Sequence, residues 1–434
     1  MEVKEIKKVK FSTLGCRLNQ YETQAIREQF LQAGFEETRE DEEAHIFVLN
    51  TCTVTSESDR ESRYLIRKFH RMNSKAQIVV TGCYVERNRN EVEALPGVSL
   101  TVGNRQKSEI VGLLESCASF GQTEIPLPRH YAPLSISEFE GRTRTYVKIQ
   151  DGCNHACSFC KVVLVRGPSR SRPFEEVIEE AKRLGDHGYT EVVLTGIQLG
   201  AYGYDLEKRQ LLSSLLERLS QIPALSRIRL SSIEPTDVTD ELIGAMASIP
   251  KVCPHLHIPL QSGDDQVLER MNRRYRRGFY SELIRKIYER IDDFVLTTDV
   301  MVGFPGETDA QFAHTVDLLN ETQAYKLHIF PYSVREETRA ARFRDIIDGA
   351  EIQKRREVLL LLEEKLKRQV QERFLNRTMD VLVENLKSSA GAVCGHSANY
   401  LRVNLETDQV TPGLMVRVRT NRIENQELIG RIVS

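Results

Sequence analysis

No apolar run in this 434-residue chain approaches the roughly 18–20 residues that a membrane-spanning helix requires. The opening stretch MEVKEIKKVKFSTLG also lacks the apolar segment and small-residue cleavage site of a secretory signal. Both absences point to a cytoplasmic protein without a membrane partner, whose thiols stay reduced. Its 9 cysteines then read as metal ligands, nucleophiles or core residues, not as disulfides. An excess of positive charge is missing too. With 60 Lys and Arg against 62 Asp and Glu, the net charge of −2 excludes a globally basic nucleic-acid binder and leaves only local patches for such a partner. There is no low-complexity segment and no solenoid repeat. A chain with 40% hydrophobic and 28% charged residues is ordinary globular protein, long enough for two or three domains.

One further absence carries chemistry. The stretch DGCNHACSFCK places Cys153, Cys157 and Cys160 in a C-x3-C-x2-C spacing, and no fourth cysteine follows nearby. Structural zinc sites usually pair two C-x2-C knuckles, which this stretch does not supply. Three thiolates on a 4Fe–4S cube leave one iron without a protein ligand, free to bind a small molecule as catalytic zinc binds water.

The first part of the chain alternates strand and helix. VKFSTLGC, AHIFVLNTC and AQIVVTGC read as strands ending at Cys16, Cys52 and Cys83, with helices between them. One helix carries Ile26, Phe30 and Ala33 on a face with Gly34 as its stop, and a second runs from about Ser56 to Met72. This order predicts an open parallel sheet, whose carboxyl edge is where ligands bind, so the three cysteines should share one rim. Residues 118–140 are rich in proline and polar residues and read as a linker. Six further strand candidates follow at 144–150, 191–197, 227–233, 255–261, 294–304 and 326–333, separated by helical patterns. Six units fall short of the eight of a closed barrel, which predicts a partial, open (β/α)6 barrel. A charged helix from Glu351 to about Arg373 leads into short alternating strands that predict a small β-barrel. The boundaries expected are 1–118, 139–369 and 372–434.

The C-x3-C-x2-C motif with Phe159 before its last cysteine, at the first strand of a partial barrel, resembles the radical S-adenosylmethionine (SAM) superfamily. FSTLGCRLNQYET, VLNTCTVT, VVTGCYVE, DGCNHACSFC, RGPSRSR and HIPLQSGDDQVLERMNRRY, in that order, resemble its methylthiotransferase family with a terminal TRAM β-barrel. That resemblance covers nearly the whole chain. It implies two 4Fe–4S clusters, one on Cys153, Cys157 and Cys160 and an auxiliary one on Cys16, Cys52 and Cys83. It also implies SAM as cofactor and a one-electron donor such as flavodoxin or ferredoxin. GCRLNQYET resembles the branch acting on N6-threonylcarbamoyladenosine at position 37 of tRNA, in the anticodon stem-loop, to give the 2-methylthio derivative. The same chemistry on isopentenyladenosine or on a ribosomal-protein aspartate is the alternative. A non-catalytic iron–sulfur protein that binds RNA is another. KVVLVRG departs from the family, because Lys161 and Val163 stand where an apolar residue and proline are usual.

Strand ends offer candidate SAM contacts: Gly196 and Gly200 in TGIQLGAYG, Ser232 and Glu234 in SSIEP, Gln261 in HIPLQSG, and Asp299 and Gly303 in TDVMVGFPGET. For RNA, Arg60, Arg63, Arg67, Arg71 and Lys75 share one helix stripe, opposite Leu65, Ile66, Phe69 and Met72. The stripe reads either as a solvated face or as a phosphate contact. RMNRRYRRGFY gathers Arg273, Arg274 and Arg276 around Tyr275, and the last strands carry Arg402, Arg417, Arg419 and Arg422. Cys117, Cys253 and Cys394 read as core residues. His255 and His257 alternate on a strand, with a structural and a ligand role both open.

Overall fold

The computed structural model describes residues 7–38, 42–117, 134–387, 393–407 and 409–433. It falls into two compact units. One holds the described residues up to Phe139 together with Asp151–His155 and Cys160–Arg172; the other holds Glu140–Gln150, Ala156–Phe159 and the chain from Pro173 onward. Two pieces of the expected central region thus group with the N-terminal unit, and the C-terminal strands group with the partial barrel. The linker expected at 118–140 lies outside the described residues as far as 133.

In the first unit the elements are β1 (Lys8–Thr13), α1 (Arg17–Gln32), β2 (Glu36–Glu37), β3 (Ile46–Thr51), α2 (Ser56–Met72), β4 (Gln77–Gly82), α3 (Cys83–Glu93), β5 (Val98–Val102) and α4 (Ile110–Cys117). The five strands are all parallel, in the order β2-β1-β3-β4-β5. The short β2 and the final β5 are additions to the strands expected. Along β3 the side chains alternate between two cores. Ile46 and Val48 pack with Ile26 and Phe30 of α1, whereas Phe47 and Leu49 pack with Ile66 and Phe69 of α2. A strand buried on both faces is what helices on both sides of a parallel sheet demand. Each such side chain contributes about 1.5–3 kcal/mol by leaving water. The strand order reverses between β1 and β3, which opens a crevice at their carboxyl ends. Cys16 and Cys52 follow those two strands.

The second unit contains six parallel strands: β6 (Thr145–Lys148), β7 (Glu191–Thr195), β8 (Arg227–Leu230), β9 (His255–His257), β10 (Val295–Val302) and β11 (Lys326–Pro331). They form two three-stranded sheets, β8-β7-β6 and β9-β10-β11, stitched by the isolated parallel bridges Ile228–Val252 and Ser232–His257. All six expected strands are present, each ending earlier than the sequence pattern suggested. A 24-residue helix, Gly349–Glu372, capped by the Asp348 carboxylate on the Ala350 N–H, follows them.

The last five strands, Thr378–Lys387, Val393–Ser397, Arg402–Leu405, Met415–Glu424 and Glu427–Ile432, close into a barrel. Asn425 and Gln426 both have positive φ, 50° and 60°, and join the last two strands in a tight turn whose twist matches theirs. The barrel seats on the amino ends of the six parallel strands. Arg227 donates to the Asp380 and His396 carbonyls, and Arg229 donates to the Ala398 and Ser397 carbonyls. Glu191 receives Arg229 at 2.7 Å, with Arg227 and Arg144 close by. Burial alone would raise the Glu191 carboxyl, but these three guanidinium groups hold it down to about 2. Cys253 and Cys394 are buried, as expected of core residues.

Candidate active site

The first cysteine triplet assembles at the carboxyl edge of the parallel sheet. Cys16 is the N-cap of α1, Cys52 directly follows β3, and Cys83 opens α3. A helix N-terminus presents unpaired N–H groups and favours an anionic sulfur. Close packing forces glycine beside the site. A Cβ on Gly15, whose φ is +94°, would lie 2.7 Å from both Cβ and Sγ of Cys52. Burial pushes the Cys52 thiol up to about 11, the Val54 N–H works the other way, and negative charge on Cys83 or Cys16 raises it further. A bound metal would reverse that balance and deprotonate such thiols.

Cys83 has charged company of its own. The Arg166 guanidinium reaches its Sγ at 3.3 Å through Nε, and the Asn104 amide approaches at 3.9 Å. Arg166 is buried and also donates to Glu22 at 2.5 Å and to Asn19 at 2.7 Å, with Asp151 at 3.4 Å. Lys107, fully buried, pairs with the same Glu22. Burial opposes the charge on both cations. It wins for Lys107, whose pKa is lowered, but Cys83, Glu22 and Asp151 hold Arg166 firmly protonated. The donor set of three sulfurs, two helix ends and a buried guanidinium fits an anionic iron–sulfur cube.

Of the C-x3-C-x2-C cysteines, Cys153 and Cys160 belong to this same unit. Gly152, at φ +76°, turns the chain so tightly that a Cβ would lie 2.0 Å from the Pro168 carbonyl. The Cys153 N–H then bonds the Gly167 carbonyl at 3.1 Å. Backbone N–H groups face the sulfurs, His155 to Cys153 at 3.3 Å and Val162 to Cys160 at 3.4 Å. The unusual KVVLVRG forms a short helix, Val162–Arg166, with Lys161 as N-cap and Val163 on its outer side, ended by Gly167 at φ +72°. Proline is not needed to aim Arg166 inward.

Cys157 lies in the second unit. The Ser158 N–H bonds the Met271 carbonyl, Asn272 bonds the Ala156 carbonyl, and Phe159 packs on Val267, Met271 and Phe304. Arg273 Nη1 donates to the Cys157 sulfur at 3.3 Å, while its other nitrogens bond Glu234 and the Tyr275 hydroxyl. Arg273, expected among the RNA-facing arginines, is therefore a buried partner of Cys157, its side chain only 5% exposed. Sequence reasoning missed this because an arginine-rich run looks like surface. The remaining RNA candidates Arg67, Arg71, Arg274, Arg276, Arg417 and Arg419 are exposed. On α2, Ile66 and Phe69 are buried as expected, whereas Met72 is exposed and Arg63 is tied to Tyr84 and Glu91.

The SAM candidates fall into two groups. Ser232, Glu234, Gln261 and Gly303 sit just beyond the carboxyl ends of β8, β9 and β10, the edge where barrel enzymes keep their sites. Gln261 has φ 65° and bonds the Asp299 carbonyl, and a Cβ on Gly303 would strike Ile352 at 2.4 Å. Gly196 and Gly200 make their close approaches to protein, since a Cβ would meet Gln150 Oε1 at 2.8 Å and Asp237 Cβ at 2.3 Å. Asp299 lies within β10 instead of after it, and faces His257 and His328. His328 was not anticipated from the sequence.

Two family profiles match the chain: the Radical SAM superfamily over residues 147–319, and UPF0004, described as an uncharacterized protein family, over residues 8–103. A threonylcarbamoyladenosine tRNA methylthiotransferase (MtaB) of Bacillus subtilis is 37% identical over 95% of this chain and 93% of its own. Its counterpart in Chlamydia pneumoniae is 37% identical over 100% of both chains. The chain belongs to the radical-SAM tRNA methylthiotransferase family. A second kind of member, the tRNA-2-methylthio-N(6)-dimethylallyladenosine synthase of Acetivibrio thermocellus, is 31% identical over 100% of this chain and 92% of its own. Among solved structures, the radical SAM methyltransferase TsrM of Kitasatospora setae superposes with a TM-score of 0.56 at 15% identity over 75% of each chain, a likeness of fold. As a methylthiotransferase, the chain has a closing barrel that fits the family's TRAM domain.

Proposed function

We propose that this enzyme converts N6-threonylcarbamoyladenosine at position 37 of tRNA to its 2-methylthio derivative. The observation that carries the reading is 37% identity, over 95% of the chain, to a relative named for that substrate. Identity to the dimethylallyladenosine relative is lower, at 31%. Cys153, Cys157 and Cys160 hold one 4Fe–4S cluster and Cys16, Cys52 and Cys83 the second. When bound, SAM and the two clusters supply the methyl group, the sulfur and the radical that takes hydrogen from C2 of the adenine. The chain's own residues do the positioning. Arg166 and Arg273 each fix one cysteine sulfur through a planar guanidinium that is also anchored on a carboxylate, Glu22 or Glu234. Ser232, Glu234, Gln261 and Gly303 line the strand ends where SAM binds. The exposed arginines, Arg67 and Arg71 on α2 and Arg417 and Arg419 on the terminal barrel, contact phosphates of the anticodon stem-loop. A small electron carrier, flavodoxin or ferredoxin, reduces the first cluster, and the reaction takes place in the cytoplasm.

Nucleoside mass spectrometry of tRNA from a deletion strain tests this. The 2-methylthio-N6-threonylcarbamoyladenosine signal should vanish while its unmodified precursor accumulates, and a gene encoding Cys157→Ala should not restore it. An unchanged signal would sink the substrate assignment.

A further inference from the structure

Three side chains on neighbouring strands of the partial barrel converge, and none of them is a cysteine. Asp299 of β10 pairs in register with His328 of β11, and His257 of β9 pairs with Thr297, two residues before Asp299. The period of two in a strand puts all of them on one face of the sheet. Nε2 of His257 stands 2.9 Å from Oδ1 of Asp299, and Nδ1 of His328 stands 3.3 Å from the same oxygen. The three donor atoms all lie within 4.8 Å of one another. We propose that His257, Asp299 and His328 bind one divalent transition-metal ion of the zinc or ferrous type, distinct from the iron–sulfur clusters.

The spacing suits an ion of that size. Around a tetrahedral ion with bonds of about 2.0–2.1 Å, neighbouring donors stand about 3.3 Å apart. The two separations given to Asp299 already lie near this figure, so small side-chain adjustments bring the donors into range. The other nitrogen of His257 is 3.0 Å from the Thr297 hydroxyl, the kind of outer hydrogen bond that fixes the ring of a ligating histidine. A cation there would take the place of the hydrogen bonds by which the two imidazoles now meet one carboxylate oxygen. Two imidazoles and one carboxylate are a donor set for zinc, iron, cobalt or nickel, whereas magnesium and calcium prefer oxygen alone. His257 is buried and His328 is 43% exposed, so one side of the triad opens to solvent. That side gives an entry path and leaves coordination positions for water or an oxygen ligand. The assignment takes Asp299 out of the set expected to meet SAM.

The test uses the full chain with its clusters reconstituted anaerobically, then equilibrated with zinc, washed, and analysed for both metals and by zinc-edge absorption spectroscopy. We expect one equivalent of zinc beyond the iron, with a nitrogen and oxygen shell at about 2.0 Å and no sulfur at about 2.3 Å. His328→Ala and Asp299→Asn should each weaken zinc binding at least tenfold while iron content stays unchanged. Thr297→Val, which spares all three ligands, should weaken it about tenfold. No retained zinc, or zinc held equally by His328→Ala and Asp299→Asn, overturns the proposal. Zinc in a sulfur shell overturns it too, and that outcome differs from failure of the proposed function, which is read on tRNA.

Discussion

Gly15 and the two buried arginines decide whether the cysteines hold their sulfurs in place. Gly15→Ala introduces a methyl group into space already filled by Cys52, at a φ that favours glycine. Iron per chain should fall from about eight to about four after anaerobic reconstitution, with the cluster on Cys153, Cys157 and Cys160 retained. Arg166→Met takes one of its buried cations from Glu22 and removes the donor to Cys83. Removing one cation from a buried charge cluster is destabilising, so a lowered Tm should accompany the loss of iron. Arg273→Lys keeps a charge near Glu234 but lacks the fork that also reaches Cys157. Potentiometric titration followed by electron paramagnetic resonance should show a more negative potential for that cluster only. None of these partnerships was legible in the sequence. Arg273 lies 116 residues from Cys157 and 39 from Glu234, and Arg166 lies 144 from Glu22, so only folding brings them together.

At the scale of elements the sequence was more open to reading. The helix expected from about Ser56 to Met72 is α2, bounded as foreseen, because Thr55 caps it and Ile66 and Phe69 mark its buried face. The strands before Cys52 and Cys83 were legible from the short apolar runs IFVL and IVV, and the one before Cys16 from the alternation of Val9 and Phe11 with polar residues. Short strands escaped: β2 has 2 residues, and Val393–Ser397 contains a glycine and a histidine where apolar alternation was sought. The stripe on α2 yields a prediction of its own. Arg67→Ala with Arg71→Ala removes two exposed charges without touching the core. The Tm should hold, tRNA binding should weaken for all sequences alike, and the slope of log K against log salt should flatten by about two. An unaltered slope would return the stripe to an ordinary solvated face.

For the whole molecule, acid should loosen the second unit through Glu191. Its folded pKa, about 2, lies below the ordinary 4.5, so the stabilisation is complete above the unfolded value and fades as pH falls toward the folded one. Unfolding by urea at pH 7 should separate wild type from Glu191→Gln clearly, and by pH 3 that gap should narrow. The floor of the six-stranded barrel also bears on how such proteins can be rearranged. Arg227 and Arg229 each donate to two main-chain oxygens of the C-terminal strands, which any substituted module would have to offer at the same points. Grafting a foreign RNA-binding domain there would bury unmatched guanidinium groups. The terminal strands are thus a fitted base to the catalytic body, not a freely interchangeable module.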